Sequence, residues 1–268
     1  MRKSITVFLI LSVTILWTSC NQNFRKVEKN PDWRVKYEAA LKYYDKKDYY
    51  KASVLFDQIM PIVRGLPEGE KVQFYLAYCQ YYDGLFILAA EQFRTFYTTY
   101  GRSAFVEEAR FMYAYSLDGN SPDSNLDQSS SIEAMNAMQV FVNRYPNSKF
   151  RDQAFEIIET TQVKLEKKGF DNAKQYHRMK QYKAAIVSLT NFRNDFPDSK
   201  YQEEAYALQI ESQYQLAVQS FSNKQKERYQ DVIETYKEFI DKFPTSKFLR
   251  DSEKIYTETQ VKLKEINS

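Results

Sequence analysis

Phe141-Val142-Asn143-Arg144-Tyr145-Pro146-Asn147-Ser148-Lys149-Phe150 decides how this chain folds, because the phrase returns. It recurs as Phe192-Arg193-Asn194-Asp195-Phe196-Pro197-Asp198-Ser199-Lys200-Tyr201 and as Phe239-Ile240-Asp241-Lys242-Phe243-Pro244-Thr245-Ser246-Lys247-Phe248. A worn copy stands upstream at Phe96-Tyr97-Thr98-Thr99-Tyr100-Gly101-Arg102-Ser103-Ala104-Phe105. In each, an amphipathic helix ends on an aromatic pair, Pro or Gly stops it, and Ser caps the next helix. The copies lie 45, 51 and 47 residues apart (96 to 141, 141 to 192, 192 to 239). Those intervals suit a two-helix repeat with insertions, which predicts a solenoid.

Composition agrees with long helices. Among 268 residues there are only six Gly and seven Pro, against 22 Tyr and 19 Phe. Tyrosine in that quantity suits helix packing in which the ring is buried and the hydroxyl reaches water. An apolar share of 43% is enough for a core. The net charge of +3 makes no electrostatic case for nucleic acid.

Residues 1–19 read as a signal peptide: Arg2 and Lys3, an apolar run from Ile5 to Trp17, then small residues before Cys20. The run is too short for a stable span of about 30 Å. Trp17-Thr18-Ser19-Cys20 resembles a lipobox, with Trp17 and Thr18 where Leu and Ala or Ser are usual. Cys20 is therefore the expected lipidation site, and several acyl chains there would anchor the protein durably. An ordinary secretory signal with an incidental Cys is the alternative. Asn21 stands where, by resemblance to enterobacterial sorting, an Asp would retain a lipoprotein in the inner membrane, and no acidic cluster follows. The expected location is the outer membrane, lipid-anchored and facing the periplasm. The other cysteine, Cys79, lies in the apolar stretch Phe74-Tyr75-Leu76-Ala77-Tyr78-Cys79 and is expected in the core.

From Asp32 onward the pattern is helical, after a polar tether over 20–31. The tetratricopeptide spacing places a small residue, Tyr three later, a small residue twelve later, and a large apolar residue four beyond. The first unit supplies Ala40, Tyr43, Ala52 and Phe56; the second Ala77, Gln80, Ala89 and Phe93; a later one Ala173, Tyr176, Ala185 and Leu189. Small residues are required where paired helices close to about 8–10 Å. Ala134, Met138 and Phe141 keep the register after a polar loop at 118–129, and Val232 holds the small-residue place in the last unit. A helix over about 148–167 is expected to stop at Gly169 behind Lys167-Lys168. The expected fold is an all-α tetratricopeptide-repeat solenoid of about five helix pairs with a C-terminal capping helix.

Nothing in the sequence spells catalysis. His177 is the one histidine, and there is no G-x-S-x-G, H-E-x-x-H or phosphate-cradling Gly loop, so neither metal nor cofactor is expected. Binding fits better. The first helix of each pair should line a groove at i, i+4, i+7. That places Arg34, Tyr37, Leu41 and Tyr44, then Lys71, Phe74, Tyr78, Tyr81 and Tyr82, in an aromatic trough with two cations. Such a trough suits a peptide with aromatic side chains whose carboxylate meets Arg34 or Lys71. Packing between repeats is the alternative for any one of these rings. The same register further on gives Lys167, Phe170, Lys174, His177 and Arg178, a basic surface for an acidic partner.

With Cys20 ahead of the repeats, and with Ala173-Lys174-Gln175-Tyr176-His177-Arg178-Met179-Lys180-Gln181-Tyr182-Lys183-Ala184-Ala185-Ile186, the chain resembles the BamD family. These are the tetratricopeptide lipoproteins of the β-barrel assembly machine. The resemblance implies a non-enzymatic scaffold. It would bind the C-terminal signals of unfolded outer-membrane proteins through residues 32–145. Residues 146–268 would hold BamA and other subunits of the complex. An adaptor for cell-wall or envelope enzymes is the alternative.

Overall fold

The computed structural model describes residues 22–267, so the signal peptide and Cys20 lie outside the described residues. Every element is a helix. A short α1 covers 22–28. It is followed by α2 (Trp33–Asp45), α3 (Tyr49–Val63), α4 (Pro67–Tyr82), α5 (Phe86–Thr99), α6 (Val106–Gly119) and α7 (Ser129–Arg144). The rest are α8 (Arg151–Arg178), α9 (Tyr182–Asp195), α10 (Gln202–Val218), α11 (Ser222–Lys242) and α12 (Leu249–Asn267). Consecutive helices pack from α2 to α7 and from α9 to α12, with α12 closing on α10 and α11, while α8 shares its buried side chains with α7 at one end and α9 at the other. The fold is the all-α tetratricopeptide repeat, and Ala40, Ala52, Ala77, Ala89, Ala173 and Ala185 are all fully buried at helix contacts.

The chain divides into two compact units. One runs to Pro122 and includes Asp127–Thr161; the other takes Asp123–Leu126 and everything from Gln162. The division between them falls within α8, which does not stop at Gly169. The helix continues to Arg178. A Cβ on Gly169 would sit 3.3 Å from Phe192 and Phe196, so the glycine admits two rings to the helix surface. It is a close-approach residue, not a stop.

The recurring phrase folds alike four times. Tyr100, Tyr145, Phe196 and Phe243 each donate their N–H to the carbonyl four residues back, at 2.8–3.0 Å, and there the helix ends. The next turn differs in detail from a helix cap. Ser103, Ser148, Ser199 and Ser246 accept from the N–H two residues on at 2.9–3.2 Å, closing a turn ahead of the helix. Two of these serines also clamp the preceding repeat: Ser103 donates to Glu70 and Ser148 to Glu107, both at 2.6 Å. After three of the serines the aromatic two residues on stacks on the first helix of the preceding pair. Phe105 meets Phe74 at 4.6 Å, Phe150 meets Phe111 at 4.5 Å, and Tyr201 meets Phe170 at 4.7 Å.

Inside three pairs the turn is also shared. Lys47, Gly84 and Lys180 take positive φ, and the following N–H reaches back to Tyr43, Gln80 or Tyr176 at 2.9–3.0 Å. The expected tether is partly structured too. Phe24 of α1 is buried edge-on against Tyr43 at 5.7 Å.

Candidate binding surfaces

In the first unit, rings from four helices form one array. Tyr44 of α2 meets Tyr75 at 4.8 Å and Tyr49 at 5.6 Å. Tyr49 stacks on Tyr82 at 4.5 Å, and Tyr82 on Tyr78 at 5.8 Å. Tyr81 stacks on Tyr115 of α6 at 5.7 Å. Tyr37 and Leu41 are half-buried beside them, while Arg34 and Lys71 are exposed. Arg34 lies over the Trp33 ring at 4.6 Å. Tyr82, 50% exposed, offers the most open ring of the trough.

Phe74 does not belong to it. At 4% exposure it is core, beneath Phe105 and against Phe96, so it supports the trough and cannot touch a ligand. Tyr78 is anchored as well: its hydroxyl donates to Glu108 Oε1 at 2.5 Å. Tyr49, Tyr75 and Tyr115 were not among the expected rings. Tyr49 and Tyr115 come from neighbours of the helices read for the groove, whereas Tyr75 is on α4 itself, one residue off the stripe that was followed.

Burial pushes the phenols of Tyr44, Tyr78, Tyr81 and Tyr113 well above the ordinary tyrosine value. Hydrogen bonds from Tyr78 to Glu108 and from Tyr113 to Glu133 add to the effect. A group whose pKa is raised in the folded state stabilises fully below its unfolded pKa and ceases to do so as pH climbs. Helicity should therefore collapse between about pH 10 and 12, with phenolate absorbance appearing in the same transition. Gradual phenolate formation from about pH 10 with helicity intact would mean the rings are open to water.

The second unit gives a different surface from the basic one expected. Lys167 pairs with Asp171, and Lys174 with Glu204 of α10. His177 Nδ1 lies 2.9 Å from Ser212 Oγ, and its Nε2 lies 3.5 Å from Glu211. Phe170, 3% exposed, is core under Tyr201. Arg178 is exposed at the end of α8. This is a mosaic of matched charges with one outlying cation, because Asp171 on the same helix meets Lys167 while Glu204 and Glu211 of α10 meet Lys174 and His177. No cluster among the described residues has the composition of a metal site, and no described helix is long and apolar enough to cross a membrane.

Helix pairs joined through small residues and turned by one repeated phrase define a tetratricopeptide-repeat protein with the fold of a scaffold or adaptor. The chain belongs to the outer membrane lipoprotein family YfiO, also called BamD, which matches residues 31–228. No curated protein matches it. Similar solved structures include the "nearly identical TPR-like repeats" of a Podosopora anserina protein described as a kinesin light chain. That structure is 16% identical, covers 80% of this chain and 97% of its own, and has a TM-score of 0.34. A variant of it is likewise 16% identical, covers 85% and 95%, and also scores 0.34. Likeness at that level carries no argument about function.

Proposed function

We propose that this protein is a non-enzymatic scaffold of outer-membrane β-barrel assembly, held at the periplasmic face by lipid on Cys20 once residues 1–19 are removed. Membership of the outer membrane lipoprotein family supports the setting. The observation that carries the binding role is the tyrosine array of the first unit, with Tyr82 open and Arg34 and Lys71 exposed nearby in sequence register. It suits the aromatic-ended C-terminal signals of unfolded outer-membrane proteins, whose carboxylate would meet Arg34 or Lys71. In this reading the second unit holds the BamA-like barrel protein and other subunits. Its matched charges favour a partner of mixed charge over a purely acidic one.

Pull-down from detergent-solubilised outer membranes tests the assignment. Recovery of a BamA-like barrel protein is expected; recovery of cell-wall enzymes in its place would make the chain an envelope adaptor. Tyr82→Ala with Lys71→Ala should weaken an aromatic-terminated peptide by about tenfold, since an open ring and a charge are lost without core damage. Unchanged affinity removes the trough. Cys20→Ala should abolish incorporation of labelled palmitate, and undiminished labelling would end the anchor.

A further inference from the structure

The tyrosine array leaves unexplained a second feature of the first unit. Helices α5 and α7 each pack on α6 and leave a cleft between them. Its floor is one stripe of α6: Arg110, Tyr113 and Leu117, at i, i+3 and i+7. Two cavities occupy the cleft, of about 290 and 790 Å³, and they adjoin at Tyr113 and Glu133, which line both.

The two ends differ in chemistry. One is aliphatic, where Leu85, Ile87 and Leu88 stand exposed at the start of α5. The other is aromatic and cationic, walled by Tyr97, Phe141, Val140 and two arginines, Arg110 and Arg144. Val140 is 61% exposed there, a large apolar side chain that folding alone leaves in water.

The charges decide the occupant. Arg94 is already held by Glu91 at 2.9 and 3.0 Å, and Glu133 already accepts from the Tyr113 hydroxyl at 2.7 Å. Among the described residues, neither Arg110 nor Arg144 is in an ion pair. The Arg110 guanidinium lies over the Tyr97 ring at 4.3 Å, and its Nε is shut from solvent with no hydrogen-bond partner. A half-buried cation lacking an acid is a costly arrangement that an incoming carboxylate relieves.

We propose that this cleft docks an acidic segment of a partner protein, aliphatic along its first part and ending with a bulky apolar side chain beside a carboxylate. The apolar side chain fills the smaller cavity between Tyr97 and Val140. The carboxylate meets Arg110 and Arg144, and the preceding aliphatic residues lie on Ile87 and Leu88. This site is separate from the trough of α2 and α4 and does not depend on it.

The probe is a fluorescein-labelled peptide of about 14 residues, long enough to follow α5 if helical. It carries Leu in its first half and Phe-Glu-Glu at its end, and it is titrated with the full chain by fluorescence anisotropy. Binding is expected to weaken as salt rises. Substituting Gln for Glu in the peptide should weaken it at least about tenfold. Val140→Asp and Arg144→Glu, both at exposed positions that folding does not need, should each do the same, and Arg110→Met should add to the loss. Val187→Asp, equally exposed on α9, should leave affinity unchanged. Equal binding of the Gln peptide, indifference to Val140→Asp and Arg144→Glu, or no binding at about 1 mM each overturns the proposal. So does self-association of the protein, or binding to anionic vesicles, that Val140→Asp abolishes while the peptide fails to bind.

Discussion

Gly69→Ala is expected to destabilise the first unit by about 2–3 kcal/mol, although alanine ordinarily favours a helix. Gly69 occupies the first turn of α4, just inside Pro67. A Cβ built there falls 2.3 Å from the carbonyl oxygen of Val63, 3.1 Å from its carbon and 3.2 Å from Arg64 Cα. The obstacle is main chain, not a side chain able to swing aside. It is also pinned, because the same Val63 oxygen accepts from Leu66 N–H at 2.8 Å. Relief requires the α3–α4 turn to move, and that turn sets how α4 lies on α3. The gain from helix propensity, about 1 kcal/mol, is smaller than the overlap it must offset. Urea unfolding followed by circular dichroism should show the midpoint falling. An unchanged midpoint would mean that the two helices are not held at this distance.

Arg193→Ala should cost about 3 kcal/mol in the second unit, more than any exposed ion pair there. Arg193 follows Phe192 in the turn phrase, where the other good copies carry Val142 and Ile240. Its guanidinium sits 3.4 Å from the centre of the Tyr206 ring and bonds Gln209 at 2.9 Å and Glu238 at 2.8 Å. Helices α9, α10 and α11 are thus tied by one side chain. Removing it strands the buried Gln209 carbonyl and uncovers Tyr206, which is otherwise fully enclosed. Glu238→Gln, by contrast, should cost under about 1 kcal/mol, because that carboxylate is largely exposed. Equal effects from the two substitutions would place the stabilisation in the charge pair and not in the ring and the glutamine.

The architecture was readable because the turn phrase and the alanine spacing are local signals with one physical meaning each. A helix must end where Pro forbids continuation, and helices meet only where side chains are small. Gly169 misled for the opposite reason: a missing Cβ serves a chain stop and a close approach equally. Only Phe192 and Phe196, more than twenty residues on, tell the two apart. Both expected surfaces suffered similarly. Periodicity placed Phe74 and Phe170 on the right stripe, but the next turn folds Phe105 and Tyr201 over them. The supposed basic face failed on distance in sequence, since Glu204 and Glu211 belong to another helix. Arg110 and Arg144 went unread because α6 and α7 were scanned for core register, and no pattern marks a cation without a partner.

The remaining cysteine has a use beyond packing. Cys79 is fully enclosed in the first unit, and burial pushes its thiol up to about 12. Thiolate is the reactive form, so alkylating reagents can reach it only through transient opening of α4. The pace of alkylation is then a stopwatch for how often the helices that carry the tyrosines come apart, read without any foreign label.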